Sequence, residues 1–172
     1  MRAVVIYESM FGNTRAIAEA IAAGLRPGSD VTLVSVARAK RALLEDADLV
    51  VVGGPTHVHG MSQKRTRASA VQTARKPGSA LVLDADAQGP GLREWFAEMG
   101  QGAARAAAFD TRLSGSPVLT GRASKQISRQ LRRHGFRIVT RPKSFLVLGN
   151  ELLPGEAERA REWASGLARA AA

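Results

Sequence analysis

The chain has 172 residues, of which 45% are hydrophobic and 23% charged, as in a globular domain large enough for a full core. It contains no cysteine, which excludes disulfides, thiolate catalysis and Cys-ligated zinc or iron–sulfur sites. Its formal net charge of +10 would attract anionic partners, and the alternative is an Arg-rich composition whose charges are only solvated. No apolar run is long enough to cross a membrane and no signal-peptide pattern is present, so we expect a cytoplasmic protein.

The first half of the chain alternates between strand and helix patterns. Strands are predicted at residues 3–7, 31–36 and 48–52, the last ending at Gly53-Gly54-Pro55. Helices are predicted at residues 13–25 and 38–45, and Pro27-Gly28 ends the first of them.

The second half is harder to interpret but continues the alternation. Helices are predicted at residues 62–76, 91–100, 121–134 and 156–171, the first of these short and exposed. Strands are predicted at residues 79–84, 106–110, 136–139 and 145–148. Such alternation is typical of a parallel sheet covered by helices on both faces.

A short polar bend joins the first strand to the first helix. It contains Ser9, Gly12, Asn13 and Thr14 within six residues. A helix N-terminus has unpaired N–H groups and partial positive charge, and these polar residues add donors, so the bend predicts a phosphate site. No lysine completes a Walker-type loop, and the glycines of a dinucleotide fingerprint are absent. The structural alternative is a plain helix cap in which Ser9 or Asn13 satisfies the helix donors.

This stretch resembles the flavodoxin family. The family pattern is met in register by an apolar pair and an aromatic, a hydroxyl, a small residue, a threonine and two helical positions: Val5, Ile6, Tyr7, Ser9, Gly12, Thr14, Ala18 and Ile21. The resemblance implies that residues 9–14, with Met10 and Phe11 among them, wrap the phosphate of FMN.

A second stretch agrees with the resemblance. Residues 53–60 are similar to the Gly-x-Pro-Thr turn that lies along the flavin ring in flavodoxin-like proteins. The resemblance implies that Pro55 and Gly60 shape this turn, that Thr56 bonds the flavin edge, and that His57 or His59, beside Val58, contacts the ring. For each histidine the alternative is a loop residue that bonds its own backbone.

A third stretch sets the expected strand count. Residues 107–115 and 120–139 look like the fourth strand, flavin loop, helix and fifth strand of the flavodoxin-like domains in flavodiiron proteins. Asp110, Thr111 and Arg112 would then line the third side of the flavin site, with an Arg112–Asp110 surface ion pair as the alternative role of the arginine. Residues 62–90 become an insertion, and residues 79–84 an excursion or edge element.

We therefore expect one domain over residues 1–172, a three-layer flavodoxin-like fold. Its open sheet would have five parallel strands in the order 2-1-3-4-5, with helices on both faces. The flavin loops lack the Trp or Tyr that flavodoxins commonly stack on the ring. The chain is also basic where carrier flavodoxins are acidic, with nine basic and no acidic residues between Thr111 and Asn150.

The expected function is FMN-dependent electron transfer with a redox partner that has an acidic face, or with an anionic small molecule. The alternatives are an NAD(P)H-dependent flavin or quinone reductase, and a flavin-free binding or regulatory module. Nucleic-acid binding by the helix at residues 121–134 is disfavoured, because no aromatic residue lies among its charges. A metal site at His57 and His59 is also disfavoured, because no carboxylate lies nearby in sequence.

Overall fold

The computed structural model describes the backbone of residues 1–171 and the side chains of residues 1–169. The strands are β1 (Arg2–Tyr7), β2 (Asp30–Ser35), β3 (Leu49–His57), β4 (Gly60–Met61), β5 (Arg105–Leu113), β6 (Arg137–Ile138), β7 (Lys143–Leu148) and β8 (Glu151–Leu152). The helices are α1 (Asn13–Leu25), α2 (Ala42–Glu45), α3 (Lys64–Ala74), α4 (Leu92–Glu98), α5 (Pro117–Thr120), α6 (Ala123–Arg133) and α7 (Glu156–Ala171).

The sheet has the strand order β2-β1-β3-β5-β7-β8, and the first five of these strands run parallel. This is the predicted 2-1-3-4-5 order, so the predicted fold class is confirmed. The short strands add to it without changing the class: β4 and β8 are antiparallel to their neighbours, and β6 pairs with β5 ahead of β7.

Successive side chains of the central strands lie on opposite faces of the sheet, so the core has two layers. On one face Val5 and Phe109 pack against α1 and α7, and on the other face Ile6 packs against α4 and α6. Because both faces are covered, the central strands are apolar at nearly every position, as expected for a buried parallel sheet.

Two sequence predictions of local structure were wrong in detail, and the question whether residues 79–84 join the sheet, which the sequence left open, is answered. β3 does not end at Gly53 but continues to His57, because its pairing with β5 extends as far as Pro55 and Thr111. Residues 79–84 form no strand, and the backbone N–H of Asp84 instead bonds the carbonyl of Met10 at 2.8 Å. The helix expected at residues 38–45 divides into a 3-10 turn (Val36–Arg38) and α2.

Residues 62–90 contain α3 and then a long irregular stretch. α3 is almost wholly exposed, and the one side chain it buries is Arg67. That residues 62–90 are an insertion in a single domain stays a prediction. No helix among residues 1–171 combines the length and the apolar character that crossing a bilayer requires.

Helices α1 and α7 pack closely because small residues face each other. A Cβ added at Gly24 would lie 2.3 Å from the carbonyl oxygen of Arg161 and 2.9 Å from the Cβ of Ala164. The glycine therefore sets the separation of the two helices that cover one face of the sheet.

We expect Gly24→Ala to destabilise the protein by about 1–3 kcal/mol, because the added methyl group forces α7 away from α1. Gly166→Ala is the matched control, since a Cβ there meets only Arg169 Nη2 at 4.0 Å. That change should stabilise the protein by about 1 kcal/mol through helix propensity. Urea denaturation measures both, and equal effects of the two substitutions would contradict this packing.

Candidate functional site

The parallel strands β1, β3 and β5 bring their following loops to one edge of the sheet. Tyr7 pairs with Gly53, and Pro55 pairs with Thr111 two residues further along the same edge. Ligands of open parallel sheets bind beyond this carboxyl edge. The three stretches singled out in the sequence therefore meet, and the loop after β7 joins them.

The start of α1 offers unpaired backbone donors to this edge. Gly12 precedes the helix with φ of +89°, and no side chain caps the helix. The first helical bond is from Ala16 N–H to the Gly12 carbonyl, at 2.9 Å. No acceptor among residues 1–171 takes the N–H groups of Asn13, Thr14 or Arg15. The first turn of α1 thus presents three unpaired amides and the positive end of the helix dipole at the carboxyl edge of the sheet.

The polar side chains of the bend are partly engaged with the protein itself. Ser9 Oγ accepts the Gly12 N–H at 3.1 Å, which holds the bend in shape. Asn13 Nδ2 donates to the carbonyl of Asn150 at 2.9 Å and so ties α1 to the turn after β7. Thr14 Oγ1 and Thr111 Oγ1 lie 2.7 Å apart, which joins the first and third loops.

A hollow of about 470 Å³ opens between these loops. Nine of the predicted site residues line it: Met10, Phe11, Asn13, Thr14, Pro55, Thr56, His57, Thr111 and Arg112. None of the side chains around it carries a carboxylate. The volume is within the range of small-molecule and cofactor sites.

The other six predicted residues do not line this hollow. Ser9 and Gly12 shape the bend beneath it. Val58 lines a smaller neighbouring hollow with Phe11 and His57, while His59 bridges to Gly121 and Gly60 is buried against Gln126.

The turn between β3 and β4 is strained. Val58 has φ of 44° and His59 has φ of 70°, which are left-handed conformations that a β-branched residue rarely adopts. Two such residues match the right-handed twist of a two-residue hairpin. Gln126 Oε1 fixes the far side of this turn by accepting the Met61 N–H at 2.9 Å.

His57 is held beside the hollow as a neutral imidazole. Burial lowers its pKa from the ordinary histidine value, with a smaller opposing effect from Glu8. Its Nδ1 lies 3.3 Å from Thr66 Oγ1 on α3, so the insertion as well as β3 positions the ring. Among the described residues, no three His, Asp or Glu side chains are grouped closely enough to hold a metal ion.

Arg112 is buried rather than paired at the surface, so the alternative of an Arg112–Asp110 ion pair is wrong. One terminal nitrogen donates to the carbonyls of Leu113 and Gly115 at 3.1 and 2.9 Å, and to Thr120 Oγ1 at 3.0 Å. These bonds fold the β5–α5 loop around the guanidinium, and no carboxylate among the described side chains forms an ion pair with it.

Asp110 is fully buried and caps α6 instead of lining the site. Its Oδ2 accepts the Ser124 N–H at 2.8 Å and the Thr56 hydroxyl at 3.2 Å. The Thr56 hydroxyl oxygen in turn accepts the Ala123 N–H at 2.9 Å. Burial raises the pKa of Asp110 above the ordinary aspartate value, against the lowering effect of the Ser124 N–H. The carboxyl therefore anchors the β3 loop to α6.

A buried network around Glu8 was missed by sequence reasoning. Glu8 accepts the N–H of Leu92 at 2.8 Å and the hydroxyl of Ser62. Arg67 donates to Ser62 Oγ at 3.2 Å and forms a 3.0 Å ion pair with Glu94. The Glu8 side chain therefore ties the bend between β1 and α1 to the start of α4 and to α3. No sequence motif marks these partners.

Five residues that line the hollow are outside the predicted site: Leu81, Leu113, Val147, Gly149 and Asn150. Gly149-Asn150 is a turn dipeptide directly after a predicted strand, so its place at the carboxyl edge was readable from the sequence. Leu81 lies in the stretch interpreted as a strand, and nothing in its pattern indicates that it would reach the site.

Comparison with known proteins places this geometry in a family. The flavodoxin family model matches residues 5–163. An archaeal flavodoxin is 20% identical with a TM-score of 0.67, and each chain covers 99% of the other. Flavodoxin 1 from Bacillus cereus is 17% identical with a TM-score of 0.68 and 98% mutual coverage. No curated protein sequence matches.

A longer protein also contains this fold. Rubredoxin:oxygen oxidoreductase from Desulfovibrio gigas is 20% identical over 99% of the present chain, with a TM-score of 0.62. The match covers 36% of that protein. At these identities the neighbours show a shared fold.

We expect Asp110→Asn to change the pH dependence of stability. Because the folded protein holds the Asp110 proton more tightly than the unfolded chain, the wild type loses stability as pH rises from the unfolded pKa through the raised folded pKa. The Asn variant keeps an acceptor oxygen but cannot ionise, so its stability relative to the wild type should increase over that range.

Asp86→Asn is the matched control with the opposite sign. The Ser35 hydroxyl lowers the pKa of Asp86, so the wild type should gain stability over this variant as pH rises from the lowered folded pKa to the unfolded pKa, which is below the range of the Asp110 effect. Urea denaturation between pH 3 and 8 measures both effects, a range set by ordinary carboxyl values near 4. Parallel pH profiles for wild type and Asp110→Asn would contradict the burial effect.

Proposed function

Since this chain belongs to the flavodoxin family, whose proteins bind FMN, we propose that it binds FMN in the hollow at the carboxyl edge and transfers electrons. The observation that carries the proposal is the first turn of α1: the N–H groups of residues 13–15 have no acceptor among residues 1–171, and Asn13 and Thr14 line a hollow without carboxylates. Bound FMN would supply one- and two-electron redox chemistry.

The donor set suits a phosphate. The amides of residues 13–15 converge at a helix N-terminus, and Thr14 adds a hydroxyl. The Thr111 hydroxyl on β5 forms a hydrogen bond with the Thr14 hydroxyl and so orients it. Gly12 provides the left-handed backbone that turns the chain from strand into helix, so the amides point out of the sheet.

The rest of the hollow suits an apolar ring with a polar edge. Phe11, Leu113 and Val147 provide apolar surface, and His57 contributes a neutral imidazole. Phe11 is the one Phe, Tyr or Trp among the lining residues. Because an aromatic contact contributes about 0.5–1.5 kcal/mol, we expect weaker flavin binding than in a site that stacks the ring between two aromatics.

A role as an electron carrier is favoured over a role as a dedicated reductase. His57 bonds a threonine hydroxyl, and no carboxylate around the hollow stands ready to exchange a proton with it. General acid–base catalysis needs a titratable group positioned by a partner that matches its protonation. The site therefore supplies binding and orientation, and its chemistry would belong to the flavin.

The partner in this proposal has an acidic face. The outer side of α6 exposes Lys125 and Arg132, and no ion pair among the described residues involves that helix. Val58 and Leu113 stand 82% and 55% exposed beside the hollow. An apolar rim flanked by one sign of charge suits a transient complex that electrostatics steers.

Gly12→Val should abolish tight FMN binding, raising the Kd at least tenfold, because valine in a left-handed conformation redirects the amides that follow it. Gly28→Val is the matched control, since Gly28 also has positive φ and lies at the other end of α1. Both should lose about 1–3 kcal/mol of stability. Fluorescence titration with FMN measures the difference, and no binding to the wild type at high micromolar FMN would overturn the proposal.

The acidic-partner proposal predicts salt-sensitive electron transfer. With the FMN-loaded protein and an acidic protein acceptor, the second-order rate should fall as ionic strength rises. Replacing Lys125 and Arg132 by Glu should lower that rate about tenfold at low salt. Arg26 and Arg169, exposed at the opposite edge, give a control pair of equal charge change. Equal effects of the two pairs in stopped-flow measurements would contradict docking beside α6.

A further inference from the structure

A second, smaller hollow lies between α4, β4 and α6, and is hereafter called the arginine notch. It is lined by Met61, Arg93, Gln126, Arg129, Gln130 and Arg133, with a volume of about 170 Å³. It shares no lining residue with the flavin hollow. Three guanidinium groups and two amide side chains therefore converge on one opening.

The three charges of the notch are not neutralised by the protein. No ion pair among the described residues involves Arg93, Arg129 or Arg133. Arg129 and Arg133 stand four residues apart on α6, a spacing at which like charges repel. An anion in the notch would remove that repulsion.

Arg93 is held in place before any ligand arrives. Its Nε donates to the carbonyl of Ser62 at 2.9 Å, and one terminal nitrogen donates to the carbonyl of Met61 at 3.2 Å. These acceptors are neutral, so the guanidinium keeps its charge. Arg129 and Arg133 are exposed, and their guanidinium groups form no ion pair with another described residue, so their donors remain available.

We propose that the arginine notch binds a phosphate dianion, either free or carried by a phosphate monoester. Guanidinium forks match the geometry of phosphate oxygens and bind them in pairs. The side-chain amide of Gln130 adds a neutral donor at the same opening, while Gln126 Oε1 accepts the Met61 N–H at 2.9 Å and helps to hold Arg93. The volume holds one such group with a few waters, since a water molecule occupies about 30 Å³ of liquid. This proposal goes beyond flavin binding and does not depend on it.

The test is an NMR titration of the full-length protein with sodium phosphate against sodium chloride at constant ionic strength. The Met61 amide and the side-chain amides of Gln126 and Gln130 should shift and saturate with phosphate and not with chloride. Phosphate at the flavin bend would instead shift the amides of residues 13–15, so the two sites report separately.

Arg129→Gln combined with Arg133→Gln should weaken the notch response at least tenfold. Arg132→Gln is the matched control, because it removes the same charge from the same helix outside the notch, and should leave the response unchanged. Equal loss in both variants, equal shifts with chloride, or shifts that never saturate would overturn the proposal. Thermal unfolding checks that the variants remain folded.

Adenosine monophosphate then separates the two sources of the group. Tighter binding than inorganic phosphate, still lost in the double variant, would identify a phosphate monoester as the ligand. Equal or weaker binding of the nucleotide would identify the free anion. Failure of both to shift the notch resonances would overturn the proposal even if FMN binds normally.

Discussion

The site depends on one constraint: the first turn of a helix cannot satisfy its own N–H groups. β1 lies between β2 and β3 in the sheet, so the helix that follows it begins at the carboxyl edge. Gly12 turns the chain there without a side-chain cap, and the amides of residues 13–15 are left without an acceptor among residues 1–171. In the proposed function the phosphate of FMN accepts these hydrogen bonds.

Two buried carboxyl groups hold the loops around that turn. Glu8 connects the phosphate bend to α4 and, through Ser62, to Arg67 on α3. Asp110 connects the end of β3, through Thr56, to the start of α6. Each carboxyl accepts donors from elements distant in sequence, which offsets the unfavourable free energy of burying it. The loops are thereby positioned before any cofactor binds, and the same α6 carries the arginine notch on its outer side.

Patterns of short range predicted the layers and the strand order well, because apolar periodicity records which face of an element is buried. The place of the bend at residues 9–14, between β1 and α1 at the carboxyl edge, also followed from its dense local motif, and its role in binding phosphate stays a prediction. Long-range contacts were not: Glu8 meets Leu92, and Thr14 meets Thr111. The apolar run at residues 79–84 resembles a strand but pairs with no neighbour, because the sheet position beside β3 is occupied by β5. Asp110 was placed in the site because burial cannot be read from one residue.

Comparing FMN with riboflavin, which lacks the phosphate, tests the central claim most directly. Amide chemical shifts of Asn13, Thr14 and Arg15 would be followed in the full-length protein during titration with each. We expect FMN to move these three resonances with saturation at one equivalent, and riboflavin to bind at least a hundredfold more weakly, about 2.7 kcal/mol. Equal affinity for both flavins, or FMN binding that leaves these amides unmoved, would contradict the account.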